Sequence, residues 1–281
     1  MSTKFADNHT FNYLVSVGNF RNSFPEEHRP SWIKITTITI ISKFLQTIDV
    51  EKLKSNLTVM KIRPKGSTFD GFEWKLKPTT FYNQVTLGYT DQYSTKSVKV
   101  FPNGSVQIAG CSDLFDCKSV IKQLTFILNT ILGVEIPSNG FRVVMINTNF
   151  SLNYNINLME TTRVFGANKV FNNVSFDPDR YSAVKIKFKP AEDMKQVTAS
   201  IFSTGKIIVT GAETLKEIAF AYNVINHHIN ANKEKIKVSK TLVTDTFNTM
   251  YGYNVEDCIR HLEKEGYAPW HFTRVNVPIN F

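Results

Sequence analysis

The side chains able to hold a metal or attack a substrate are few and poorly spaced. Cys111 and Cys117 lie near the start of one predicted helix, and Cys258 and His261 lie three residues apart on another, predicted over 255–264. A structural zinc site takes four such ligands in paired spacing. These pairs are isolated, and Cys117 falls on an apolar helical face, so core packing is their expected role. His227-His228 stand near the end of a second long helix, where a cation would suit the negative end of the helix dipole. Asp113, Asp116, Glu213 and Glu217 fall at helix starts, where carboxylates meet free backbone N–H groups. No phosphate-binding loop, nucleophile elbow or paired-carboxylate motif is present. The expectation is a protein that is not an enzyme, with no metal and no cofactor. The chemistry on offer is that of recognition. Phe101 and Phe202 each stand three residues ahead of a glycine, and Lys185, Lys187 and Lys189 alternate along one segment, with Lys206 just after the second glycine.

The elements that carry these residues occur twice. Phe101-Pro102-Asn103-Gly104-Ser105-Val106-Gln107-Ile108-Ala109-Gly110 aligns without a gap on Phe202-Ser203-Thr204-Gly205-Lys206-Ile207-Ile208-Val209-Thr210-Gly211. Both read as strand, tight turn, strand, with the glycine supplying turn chemistry. Helical spacing follows at the same offset: Leu114, Cys117, Ile121, Leu124 and Leu128, then Leu215, Ile218, Tyr222, Ile225 and Ile229. Gly133 is placed to end the first helix. Upstream, Phe81-Tyr82-Asn83-Gln84-Val85-Thr86-Leu87 matches Arg180-Tyr181-Ser182-Ala183-Val184-Lys185-Ile186 more loosely. Residues 33–44 and 141–150 are rich in strand formers, each followed by a short helix, at 50–57 and 159–165. Each half then reads strand, helix, three or more strands, long helix. Grouped strands with helices on one face make an α+β fold, with ten strands expected in one curved antiparallel sheet.

The chain has 281 residues and 42% hydrophobic residues, ample for a core and too apolar for disorder. Its formal net charge is +9, and net +8 of that falls within residues 31–230, the repeated part. A basic balance suggests an acidic partner, nucleic acid among them. Three cysteines, an odd and low number, read as a reduced intracellular protein. The first residues hold no continuous apolar run, and no stretch approaches the ~20 apolar residues of a membrane span.

The segment Ser200-Ile201-Phe202-Ser203-Thr204-Gly205-Lys206-Ile207-Ile208-Val209-Thr210-Gly211-Ala212 is similar to the strand–turn–strand signature of the TATA-box-binding-protein family. The first-half copy is weaker, with Ser105 where the family usually has Lys and Ala109 where it has Thr. Asp177-Pro178-Asp179-Arg180-Tyr181 resembles the family's acidic-proline entry into a strand, and Ile48-Asp49-Val50-Glu51-Lys52-Leu53 the start of its first helix. The resemblance covers about 31–230, and its departures look like the versions carried by large DNA viruses. It implies a pseudo-twofold saddle of two tandem repeats with helices on the convex face. The implied boundaries are an N-terminal extension 1–30, repeats 31–136 and 137–230, and a C-terminal extension 231–281 that packs on the core or binds a partner. The implied function is that of a general transcription initiation factor bending A·T-rich promoter DNA through the minor groove. Its implied partners are double-stranded A·T-rich DNA, a transcription factor B-like protein and the RNA polymerase machinery, with the protein a monomer on DNA. Its implied site of action is a nucleus or a cytoplasmic viral factory.

The resemblance also assigns roles. Phe101 and Phe202 take the positions of rings that wedge between base steps, although a Phe ahead of a turn also suits plain core. Their companions are Tyr82 and Tyr181, where the family usually has Phe; a Tyr hydroxyl wants a hydrogen-bond partner. Phe81 is the competing register, and Tyr82 is preferred because it keeps Val85 and Leu87 inward. Gln107, Ala109, Ile208 and Thr210 would face the groove. The family's central Asn pair aligns with Thr37 and Met145, with Thr39 and Asn147 two residues on, so either Asn147 replaces the lost amide by a shift or the central readout is relaxed; Thr37 and Thr39 are also ordinary strand formers. Lys187 and Lys206 would sit at the rim near phosphates, with Lys185 turned to the groove, unless the lysines only solvate a face. The departures leave a second reading open: a saddle-fold protein-interaction scaffold that recruits transcription factors or polymerase, with weak or no sequence-specific DNA binding.

Overall fold

The computed structural model describes residues 12–62, 71–92, 94–238 and Lys264. The chain forms two compact units, Met1–Ile236 and Lys237–Phe281. The fold below is that of the first. Cys258, His261 and the aromatic run 267–272 lie outside the described residues.

The first half runs β1 (Lys34–Phe44), α2 (Val50–Asn56), β2 (Val59–Ile62), β3 (Phe72–Lys77), β4 (Val85–Thr90), β5 (Thr95–Val100), β6 (Ser105–Cys111) and α3 (Leu114–Leu132). The second runs β7 (Ser138–Ser151), α4 (Leu158–Gly166), β8 (Asn173–Asp177), β9 (Tyr181–Phe188), β10 (Val197–Phe202), β11 (Lys206–Ala212) and α5 (Leu215–Ala231), with α1 (Asn12–Asn22) before and α6 (Lys233–Ile236) after. All strands join one curved, unclosed antiparallel sheet in the order β2-β3-β4-β5-β6-β1-β7-β11-β10-β9-β8. Each half starts at the centre, crosses by a short helix to an edge, and meanders back to lie beside its first strand. Among the described residues the sheet has eleven strands, where ten were expected. The first half gains the edge strand β2, paired Met60 to Trp74 with β3. Alternating apolar residues in both segments carried that signal.

The repeat is exact enough to be read in hydrogen bonds. Phe44 N donates to Gly104 O and Ile48 N to Pro102 O; in the second half Leu152 N donates to Gly205 O and Ile156 N to Ser203 O. Gly104 and Gly205 have φ of 82° and 80°. A Cβ on Gly104 would lie 2.5 Å from Gln46 O, and one on Gly205 2.4 Å from Tyr154 O. Conformation and space both demand glycine there. The short helices repeat as well. Asp49 accepts from Lys52 N to cap α2, and Asn157 accepts from Glu160 N to cap α4. The dyad crosses the central pair β1–β7 at the rung Ile38–Ile146.

Helices α3 and α5 cover one face of the sheet. Asp113 caps α3, accepting from Asp116 N, and Gly133 ends it in the left-handed region. Thr214 and Glu217 form a capping box on α5. Each cap contributes roughly 1 kcal/mol. Cys117, Ile121, Leu124 and Leu128 are buried, as are Ile218, Tyr222, Ile225 and Ile229. The first members of the expected stripes, Leu114 and Leu215, are exposed instead. Cys111 and Cys117 are both buried as free thiols, a core role. Among the described residues no helix is long and apolar enough to cross a membrane.

Candidate nucleic-acid interface

The sheet face away from the helices is open, and strand alternation decides what it carries. In β9, Val184, Ile186 and Phe188 are buried while Tyr181, Lys185 and Lys187 are exposed. In β11, Ile207 and Val209 are buried, leaving Lys206, Ile208 and Thr210 on the open face. In β6, Val106 and Ile108 are buried, leaving Gln107 and Ala109. Val85 and Leu87 are fully buried, which fixes the β4 register.

A pair of aromatics, Phe202 and Tyr181, stands at one end of this face. Phe202 N–H and C=O belong to the turn closed by Gly205 N donating to Phe202 O at 2.9 Å. Its ring meets Tyr181 edge-on, with centroids 5.8 Å apart. Lys185 Nζ lies 4.3 Å from the Tyr181 centroid. In the first half, Gly104 N donates to Phe101 O at 3.0 Å in the same turn. The ladder pairs Val85 with Val100 and Val184 with Ile201, so Tyr82 and Tyr181 occupy equivalent positions, three residues before each valine. Tyr82 is 90% exposed and Phe81 68%. Among the described residues no ring contact joins Tyr82 to Phe101. The first pair is therefore open where the second is closed.

At the centre, Thr37 pairs with Asn147 and Thr39 with Met145, on either side of the dyad rung. Asn147 Nδ2 donates to Thr37 Oγ1 at 2.9 Å, while its Oδ1 is buried without a partner. Thr39 is almost closed off, at 4% exposure, between Ala109 and Met145.

Basic residues line the rungs. Lys34, Lys43, Lys75, Lys99 and Arg142 join Lys185, Lys187 and Lys206 on the open side, by their pairing with Asn149, Ser105, Gly88, Gln107 and Ile41. The strand acids on this side, Glu73 and Asp177, lie on β3 and β8 towards opposite ends of the sheet and are matched with Lys61 and Arg180. A field of one sign over a sheet face favours a polyanion. A depression of about 590 Å3 beside Phe101, lined by Ile41, Lys43, Gln107, Phe141 and Arg142, belongs to the same face.

Two features escape the sequence reading. Lys96 is fully buried between Asp91 and Asp116, bonding Asp116 at 3.0 Å and Asp91 more closely. Burial alone would lower its pKa, and the two carboxylates outweigh it and raise it. Its second-half equivalent is Val197, so an ion cluster stands where the other half has apolar core; the acidic Asp91 and Asp116 were the available signal. His228 corrects an expectation. It is not a charge partner for a helix end: Asn168 Nδ2 and His228 Nδ1 lie 3.0 Å apart, and burial, then His227, lowers its pKa, favouring the neutral ring.

A curved sheet with a basic open face suits a polyanionic duplex. The family model described as "Transcription factor TFIID (or TATA-binding protein, TBP)" matches residues 140–231, the half with the fuller signature. A "TATA-box-binding protein-like" protein of Acanthamoeba polyphaga mimivirus is 28% identical over 248 residues, 73% of this chain and 67% of that protein. The structure of Methanococcus jannaschii TBP shares the fold with a TM-score of 0.50 at 16% identity, covering 72% of this chain and 99% of that one. The chain is thus similar to TATA-binding-protein-like proteins, in sequence over its second half and in fold over both, and that likeness supports a transcription-related DNA-binding role.

Proposed function

We propose that the open face binds the minor groove of A·T-rich duplex DNA and bends it, and that the protein acts as a general transcription initiation factor. The observation that carries this is the Phe202–Tyr181 ring pair beside a glycine turn, with Phe101 and Tyr82 at the corresponding chain positions of the first half. Rings at both ends of a curved basic sheet suit insertion at two base steps; the kink itself is carried over from the TATA-binding protein, the standard case of such kinking. Ile208, Thr210 and Ala109 then lie on a groove floor that in A·T pairs lacks the guanine amino group. Thr37, Thr39 and Asn147 sit at the centre, where the Asn147 amide supplies the readout. Lys187 and Lys206 neutralise phosphates, a contribution that fixes position without reading sequence. In this reading 31–136 and 137–230 are the half-saddles, 1–30 and 231–281 are extensions, and the protein binds as a monomer. A transcription factor B-like protein and the polymerase machinery join it where that DNA is transcribed, a nucleus or a cytoplasmic viral factory. Binding and bending of A·T-rich against mixed duplexes across salt tests the reading.

One observation favours a scaffold role beside it. Phe115 is 82% exposed and Phe126 55% on α3, away from the open face. Capture of a transcription protein by a Phe101→Ala/Phe202→Ala variant, with no DNA present, would favour that role.

A further inference from the structure

Two equivalent rungs of the open face hold the same two kinds of side chain in opposite order. In the first half Ile41 on β1 pairs with Gln107 on β6. In the second half Asn149 on β7 pairs with Ile208 on β11. The dyad relates Ile41 to Asn149 and Gln107 to Ile208. The first half thus has isoleucine on the strand next to the dyad and an amide on the second strand. The second half has the amide next to the dyad and isoleucine beyond it. Neither Gln107 nor Asn149 makes a side-chain hydrogen bond among the described residues, and both are only half-buried.

An amide and an isoleucine read the minor groove differently. A·T pairs show only acceptors there, whereas G·C adds the guanine N2 amino donor. A Gln or Asn amide offers an oxygen to that amino group and an NH2 to the acceptors of A·T, so it accommodates either pair. Isoleucine fills the space and leaves a desolvated amino group unpaired. In the minor-groove reading, on which this rests, the strand order runs along the groove. Strands lie about 4.8 Å apart and base pairs about 3.4 Å, so neighbouring strands read positions one to two base pairs apart.

We infer that the open face reads a non-palindromic pattern, accepting G·C under Gln107 and under Asn149 and excluding it at their mirror positions under Ile208 and Ile41. A pseudo-symmetric saddle then takes one orientation on DNA.

The test uses the full chain and an otherwise all-A·T duplex, with pairs of G·C substitutions stepped outward from the centre. One set places an inner G·C on one side and an outer one on the other. Two further sets place both at inner or both at outer positions. The mixed set should bind within about twofold of the all-A·T duplex, the loss of one of two orientations. The symmetric sets should lose about tenfold, the scale of one mismatched pair. Inosine·C, which lacks the amino group, should lose nothing in any set. Gln107→Ile should impose the tenfold loss on the mixed set, and Ile208→Gln should relieve it for the outer set. Equal losses in all sets, losses unmoved by either variant, or inosine·C losses equal to those of G·C would overturn the inference while leaving minor-groove binding intact. Failure of the all-A·T duplex to bind and bend would remove the minor-groove reading itself, and the inference with it.

Discussion

Phe202 stands edge-on to Tyr181, 5.8 Å between centroids and 66° between ring planes, at one end of the open sheet face. Lys185 holds the Tyr181 ring from a third side. The pair is pre-packed, whereas Tyr82 at the equivalent first-half position is almost fully exposed. The second half therefore offers a preorganised wedge and the first a loose one. Phe202→Ala should cost about 1–3 kcal/mol of binding, the scale of one aromatic–base stack. Phe101→Ala should cost less. Tyr181→Phe removes a hydroxyl that insertion would leave without a partner, so affinity should hold or rise. Titration of one A·T-rich duplex with the three variants checks the order.

Lys187 faces the open side with no acidic partner on its own rung, where it meets Thr198 and Asn173. If it neutralises one phosphate, Lys187→Ala should lower the slope of log K against log salt by about 0.9 and weaken all duplexes alike. An unchanged slope would take Lys187 off the phosphate path.

The buried Lys96 cluster is a matter of stability. Lys96→Ala leaves Asp91 and Asp116 without their cation and should cost about 3–5 kcal/mol in urea unfolding. Adding Asp91→Asn should recover part of that loss. The folded pKa of Lys96 is raised above 10.5, so its contribution is complete below the unfolded value and fades as pH rises through the folded one. Unfolding followed from neutral to strongly alkaline pH should show that fall in wild type and lose it in Lys96→Met.

His228 gives the opposite pH dependence. Its folded pKa lies below 6.5 because burial and His227 disfavour the charged ring. The neutral ring's stabilisation is therefore complete above 6.5 and is lost as pH falls through that value towards the folded one. An NMR titration should place the His228 midpoint below 6.5, and His228→Gln should flatten the acid side of the stability profile.

What could be read from the chain depended on whether a signal was local. The turn glycines, Gly104 and Gly205, announced themselves because both φ and space exclude any other residue. The α3 and α5 stripes followed from spacing, apart from Leu114 and Leu215, which open their helices and are exposed. The rungs were less legible. Asn149 and Ile41 have no unusual neighbours in sequence, and their importance appears only when β7 meets β11 and β1 meets β6. The Thr37–Asn147 bond spans 110 residues. Lys96 sits in an alternating strand, where a lysine ordinarily faces water, and only the approach of Asp116 from α3 explains its burial.

The most direct measurement is DNA bending, read as end-to-end energy transfer in a doubly labelled A·T-rich duplex over a range of salt, for wild type and Phe101→Ala/Phe202→Ala. Wild type should bind this duplex more tightly than a mixed-sequence one and bring its ends together, and the double variant should lose the bend and most of the preference. Equal affinity for both duplexes at every salt, or a straight duplex in the wild-type complex, would contradict minor-groove wedging.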